Sequence, residues 1–68
     1  MALSARNQFK GKVKDVKKGM VMAEVTVEVA PGVDIVAAIT TSSVDRLGLA
    51  AGKETAVVIK ATSVMLDA

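Results

Sequence analysis

The sequence predicts an all-β domain, a small five-stranded barrel with one short helix between strands three and four. Three observations lead there. Residues 20–30 alternate apolar and polar with period two; Pro31-Gly32 then separates them from a second alternating run; and after Thr40 a cluster of hydroxyl residues opens a short stretch closed by Gly48. At 68 residues the chain makes a single domain over residues 1–68, and a domain that small buries only about 60% of the surface its unfolded chain exposes.

Taken in order, Phe9-Lys10-Gly11-Lys12-Val13-Lys14 sets apolar or small residues against lysines, which predicts a first strand with a solvated lysine face. Gly11 is the expected bulge, and Lys17-Lys18-Gly19 the expected end. In the second strand Val21, Ala23, Val25, Val27 and Val29 share one face, with Met20, Met22, Glu24, Thr26 and Glu28 on the other. Pro31-Gly32 suits the centre of a type II turn, because proline fixes φ and glycine accepts φ > 0. The third strand runs from Val33 to about Thr40, with Val33, Ile35, Ala37 and Ile39 inward. Thr41, Ser42 and Ser43 are all candidate N-caps, Ser42 with Asp45 resembling a shortened capping box, so a helix is expected over residues 43–47. Gly48 ends it in a left-handed turn, with Val44 and Leu47 buried. A fourth strand at 54–61 sets Thr55, Val57 and Ile59 against Ala56, Val58 and Lys60, and Val64, Met65 and Leu66 supply the fifth. This order is that of an OB-like barrel whose helix plugs one end, with an SH3-like barrel as the alternative.

Composition narrows the function. A 51% hydrophobic chain is too apolar for disorder, and with no Cys and no His it has no disulfide, no thiolate or imidazole site for zinc, iron or copper, no thiolate nucleophile and no imidazole base. An enzyme is therefore not expected. Small domains without staples commonly oligomerise, and Met20, Met22, Val36, Ala38, Ala56 and Val58, opposite the core face, predict subunit contacts. Residues 1–18 carry Arg6, Lys10, Lys12, Lys14, Lys17 and Lys18 against Asp15 alone, an asymmetry hidden in the net charge of +2. The OB-like order and this basic end suggest a nucleic-acid binder, but Phe9, the one aromatic, cannot make a base-stacking platform. No apolar run is long enough to span a membrane, and Met1-Ala2-Leu3-Ser4-Ala5-Arg6 lacks the basic-then-apolar order of a leader, so a soluble cytoplasmic protein is expected.

Three segments collect hydrogen-bond donors: Ser4-Ala5-Arg6-Asn7, Thr40-Thr41-Ser42-Ser43 and Lys60-Ala61-Thr62-Ser63. Each has an ordinary structural role available, as surface charge, helix cap or solvated strand residue. The first and third contain no carboxylate. In a barrel of this order the ends of strands three and four can lie close together, so the segments can line one donor-rich site suited to an oxyanion.

The run from Ser4-Ala5-Arg6-Asn7-Gln8 to Val13, the stretch Ala38-Ile39-Thr40 through Ser43-Val44 to Leu47-Gly48-Leu49, and the ending Val58-Ile59-Lys60-Ala61-Thr62-Ser63-Val64-Met65 together resemble the molbindins, the stand-alone Mop proteins of bacteria. The likeness covers essentially the whole chain. It implies a cytoplasmic binder of molybdate and also tungstate, assembled as a homohexamer, a trimer of dimers, with oxyanion sites at subunit interfaces. By the family pattern Ser4 and Arg6 would bind the anion with Thr40, Ser43, Lys60 and the backbone of Ala61, from neighbouring subunits, while Asn7 holds the N-terminal run. A second class of site, near the threefold axes, would use backbone N–H groups around Lys18, Gly19 and Met20. Some relatives have Ser where this chain has Ala61, which leaves only a backbone donor there.

The chemistry of the residues agrees with that ligand. Molybdate is a tetrahedral dianion that only accepts hydrogen bonds, whereas hydrogen phosphate carries a proton that needs an acceptor. A donor-only site disfavours phosphate by about 1–3 kcal/mol, the cost of one unsatisfied group. Sulfate, also a pure acceptor, is refused only by size. The expected function is reversible molybdate storage or buffering; an OB-type nucleic-acid binder or a molybdate-sensing regulatory module is the alternative.

Overall fold

The computed structural model describes residues 4–68; Met1–Leu3, the start of the run read above for a leader, lie outside it. Its strands are β1 (Asn7–Lys18), β2 (Met22–Ala30), β3 (Val33–Thr40) and β4 (Glu54–Ile59), with helix α1 (Thr41–Leu47) between β3 and β4 and a 3-10 turn at Ala61–Ser63. The four strands form one antiparallel sheet in the order β3-β2-β1-β4.

β1 is longer than the alternating pattern suggested, and its two halves serve different partners. Asn7–Lys12 pairs with β4, and Lys12–Lys18 pairs with β2. The bulge expected at Gly11 lies instead between Val13 and Asp15. The extra residue keeps both Val13 and Val16 on the inner face, which strict alternation would not allow. Gly11 has another role: a Cβ there would meet the Glu28 carbonyl oxygen at 2.5 Å and Val27 Cγ1 at 2.9 Å. Only glycine lets β1 lie this close to β2 as it changes partners.

Val13, Ala23, Val25, Val27 and Val44 form the buried core, with Val16, Val29, Ile39, Leu49 and Val57 packed against it. The inward assignments for Ala23, Val25 and Val27 hold. Val21 does not follow them, because β2 begins at Met22 and Val21 stands in the preceding turn, 71% exposed. Gly32, with φ 74°, makes the β2–β3 turn as expected.

The helix starts earlier than residue 43. Thr40, still extended at φ −69° and ψ 147°, is the N-cap, and its side chain accepts from the Ser43 N–H. The last residue of β3 thus doubles as the cap, and the Ser42–Asp45 box does not form; Asp45 instead pairs with Lys18 at 2.7 Å. Val44 is buried, but Leu47 is 53% exposed. Gly48 turns the chain left-handed at φ 65°, and the Leu49 N–H bonds back to the Val44 carbonyl at 3.0 Å, so Leu49 packs on the core where Leu47 was expected.

β4 ends at Ile59, two residues before expected. The Ser63 N–H donates to the Lys60 carbonyl, curling the chain into a 3-10 turn instead of continuing along β1. Val64, Met65 and Leu66 then form no strand, and Met65 and Leu66 are 92% and 94% exposed. The described chain is therefore a four-stranded open sheet, not a closed five-stranded barrel. Phe9, set against the lysines in the alternation of β1, remains 41% exposed. Met20, in the turn before β2, and Met22, Val36, Ala38, Ala56 and Val58, on the outer face, are all exposed.

Gly11→Ala should destabilise the fold by about 1–3 kcal/mol, the usual cost of forcing a methyl into filled space. Thermal unfolding followed by circular dichroism should show a lower Tm; an unchanged Tm would mean that β1 and β2 can separate at no cost. Lys14 lies 3.0 Å from Asp34 Oδ2, and that hydrogen bond, with the Asp34 charge, raises its pKa above 10.5. A raised lysine pKa gives stability that is fully present below the unfolded-state value and lost as pH rises through the folded one. The pair is exposed, so Lys14→Met should lower Tm only slightly near neutral pH, and unfolding scans above pH 10.5 should show that difference disappearing.

Candidate functional site

The residues singled out from the sequence fall into two groups. Asn7 opens β1 opposite Ile59, the end of β4, and the register continued by one step sets Arg6 opposite Lys60, with Ala61 next in the chain at the start of the 3-10 turn. Ser4, Arg6, Asn7, Lys60 and Ala61 therefore share one end of the sheet. Gln8 Nε2 donates to the Ala5 carbonyl at 2.8 Å and steadies the segment. Arg6 and Lys60 are exposed, and neither has an ion-pair partner among the described residues. Two neighbouring cations without a counter-charge attract an anion.

Thr40 and Ser43 belong to the other end of β1. Thr40 pairs with Met22, and the adjacent Ala23 pairs with Lys18, the last residue of β1. The length of β1 separates the groups: its 12 residues, Asn7 to Lys18, are eleven steps apart end to end, a contour of roughly 36 Å at about 3.3 Å per step. Within one chain the ends of β3 and β4 are thus not brought together as the sequence suggested: β3 ends near Lys18, β4 beside Asn7.

Around Thr40 the hydroxyls are ordered by their bonding capacity, one proton and two lone pairs each. Thr40 Oγ1 donates to Ser43 Oγ at 2.7 Å and accepts from the Ser43 N–H at 3.1 Å. Its contact with Ser42 Oγ at 3.3 Å must then be donated by Ser42, because the Thr40 proton is already used. Ser43 Oγ also accepts from Arg46 Nη2 at 3.3 Å. Thr40 is saturated, and the one uncommitted hydroxyl proton among these three belongs to Ser43. Arg46 was not singled out from the sequence, although its i+3 spacing from Ser43 on a helix was the available signal.

The second predicted anion segment lies beside this cap. Gly19 N–H donates to the Met22 carbonyl at 2.8 Å, while the Gly19 carbonyl accepts from Thr41 Oγ1 and the Val21 carbonyl from the Thr41 N–H, each also at 2.8 Å. Lys18 Nζ is held by Asp45. One of the expected backbone donors is therefore committed within the chain and the lysine has a partner, while Met20 stands fully exposed.

Shallow, open depressions lie at the β1–β4 junction, lined by Lys10, Lys12 and Glu54, and beside Lys17, Met22 and Ala38. Neither takes in Arg6, Lys60, Thr40 or Ser43. Among the described residues there is no group of three or more Cys, His, Asp or Glu placed to hold a metal ion, and no helix long and apolar enough to cross a membrane.

The TOBE domain family matches residues 3–66. Molybdenum-pterin-binding protein 1 of Clostridium pasteurianum is 50% identical over 66 residues, 97% of each chain. Among solved structures, MopII from Clostridium pasteurianum aligns over 98% of this chain and 100% of its own with a TM-score of 0.92 at 49% identity. A molybdate binding protein from Sporomusa ovata aligns over the full length of both chains with a TM-score of 0.94 at 37% identity. A helix-capped sheet that carries unpaired donors at both ends of its longest strand thus falls among proteins of one kind: the chain belongs to the TOBE-domain family and, within it, to the Mop-type molybdenum-pterin-binding proteins.

Proposed function

We propose that the protein binds molybdate, and tungstate with it, as a reversible cytoplasmic store, through hydrogen bonds and charge at sites shared between copies of a homohexamer. The observation that carries this reading is the division of the donor residues by β1. Ser4, Arg6, Asn7, Lys60 and Ala61 at one end form a cationic group without carboxylates, and Thr40 and Ser43 at the other end form a hydroxyl group. A single site that uses both groups takes one from each of two chains. The names of the relatives support the ligand, and a chain without Cys or His supports binding over catalysis.

The exposed outer face and the apolar tail support assembly, since a core of five small side chains leaves Met20, Met22, Val36, Met65 and Leu66 in water. The five-stranded barrel is, on this reading, a property of the assembled protein. The second anion site, near the threefold axes, draws on the Lys18, Gly19 and Met20 segment through backbone other than the Gly19 N–H, which is already committed to the Met22 carbonyl.

Calorimetric titration with molybdate, tungstate, sulfate and phosphate tests the ligand: the first two should bind tightly and the others weakly, and sulfate binding as tightly as molybdate would overturn the reading. Sedimentation at micromolar concentration should show a hexamer, and a folded 7.0 kDa monomer would refute the shared site. Arg6→Ala and Ser43→Ala should each weaken molybdate binding by about tenfold or more, from a lost hydrogen bond to a charged group. Co-refolding these two mutants should restore intact sites, because one chain then supplies Arg6 and the other Ser43. Co-refolding Arg6→Ala with Lys60→Met should restore none, since both residues lie at the same end of one chain. The reverse pattern, with mixed assembly verified by native mass spectrometry, would disprove the division of the site.

A further inference from the structure

Arg46 lies on none of the segments from which the site was read, yet it is the one cation bonded to a site hydroxyl. Its neighbour Asp45 is engaged by Lys18 at 2.7 Å, and Arg46 itself has no ion-pair partner among the described residues. The one hydrogen bond its side chain makes among the described residues goes to Ser43 Oγ.

That bond settles the polarity of Ser43. A serine oxygen has two lone pairs, and here one receives the Thr40 hydroxyl proton and the other the Arg46 N–H. With both filled, Ser43 has nothing left with which to accept. It faces any ligand as a donor only. Without Arg46 one lone pair is vacant, and a ligand carrying its own proton can be accommodated by donating to it.

We infer that Arg46 is a specificity-determining residue of the oxyanion site: by filling the second lone pair of Ser43 it makes that hydroxyl an obligate donor, and so excludes oxyanions that carry a proton, hydrogen phosphate above all. The inference rests on the oxyanion-binding reading above and adds to it the residue that separates proton-bearing from proton-free tetrahedral anions. The guanidinium also brings positive charge near the ligand, but charge alone serves molybdate, sulfate and hydrogen phosphate alike. The discrimination comes from the occupied lone pair.

The test compares Arg46→Met and Arg46→Lys with the wild-type assembly, titrating each with molybdate, sulfate and phosphate at a pH where the monohydrogen form of phosphate predominates. The Met variant keeps an apolar stem and removes every donor; the Lys variant keeps a cation that can donate to Ser43. Arg46 is exposed and outside the core, so both variants should fold, with unfolding curves close to wild type. Arg46→Met should narrow the phosphate-to-molybdate ratio of Kd values by roughly tenfold, the worth of one satisfied polar group. The sulfate-to-molybdate ratio should stay the same, because sulfate brings no proton. Arg46→Lys should keep most of the wild-type phosphate exclusion. If all three anions weaken by the same factor in Arg46→Met, the residue acts by charge only and the inference fails while molybdate binding stands. If the wild-type protein binds no tetrahedral oxyanion, the functional reading fails first and takes the inference with it.

Discussion

The register of β1 governs the rest of the molecule. Twelve extended residues pair first with β4 and then with β2, and Gly11 is the point at which one partner gives way to the other. Because the pairing is antiparallel on both sides, the end of β4 meets the start of β1 and the end of β3 falls two strands away from its finish. Every candidate ligand residue hangs from one of those two ends. A shift of register along β1 would turn side chains to the opposite face and separate Arg6 from Lys60, so the sheet's hydrogen bonding fixes the electrostatics of the site as well as the core.

At the far end the determining element is a chain of hydroxyls, Ser42 to Thr40 to Ser43, rather than a charge. Thr40 ends a strand, caps a helix and donates its hydroxyl hydrogen bond to Ser43, so a residue that secures the fold also sets the direction of the hydrogen bonds around it. The same short helix inserts Val44 into the core and is tied at its start to the Gly19–Val21 turn through Thr41, while Lys53 Nζ reaches the Leu47 carbonyl at its end. The donor geometry at Ser43 is thus held from three directions by contacts whose primary role is structural.

Much of this was legible in the sequence, because much of it is local. Alternation at Ala23, Val25 and Val27 reports which face is buried, Pro31-Gly32 reports a turn, and Ser4, Arg6, Thr40, Ser43 and Lys60 declare their donor chemistry by residue type alone. What failed was set by partners distant along the chain. The role of Gly11 depends on the Glu28 carbonyl, the packing of Leu49 against the core in place of Leu47 depends on the turn at Gly48, and a fifth strand at Val64–Leu66 needs an edge that the 3-10 turn at Ala61–Ser63 turns away from. The grouping of the donors needed the β1 register, which periodicity does not specify. Arg46 was missed because an exposed arginine in a helix is unremarkable until its acceptor is known.

A core of four valines and an alanine, an open sheet and an apolar tail in water make the isolated chain a marginal structure, while its anion-binding groups are complete only in pairs of chains on the proposed reading. These two features have one physical consequence. An anion held between copies binds the assembled state and not the separated or unfolded one, so its binding free energy adds to assembly by mass action, rising with the logarithm of ligand concentration. The charge of Arg6 and Lys60 acts in the same direction: unneutralised, the two cations repel each other across β1 and β4, and a bound dianion converts that repulsion into attraction. Ligand occupancy and quaternary stability are then the same equilibrium seen from two sides, and a domain this small needs no separate device to couple them.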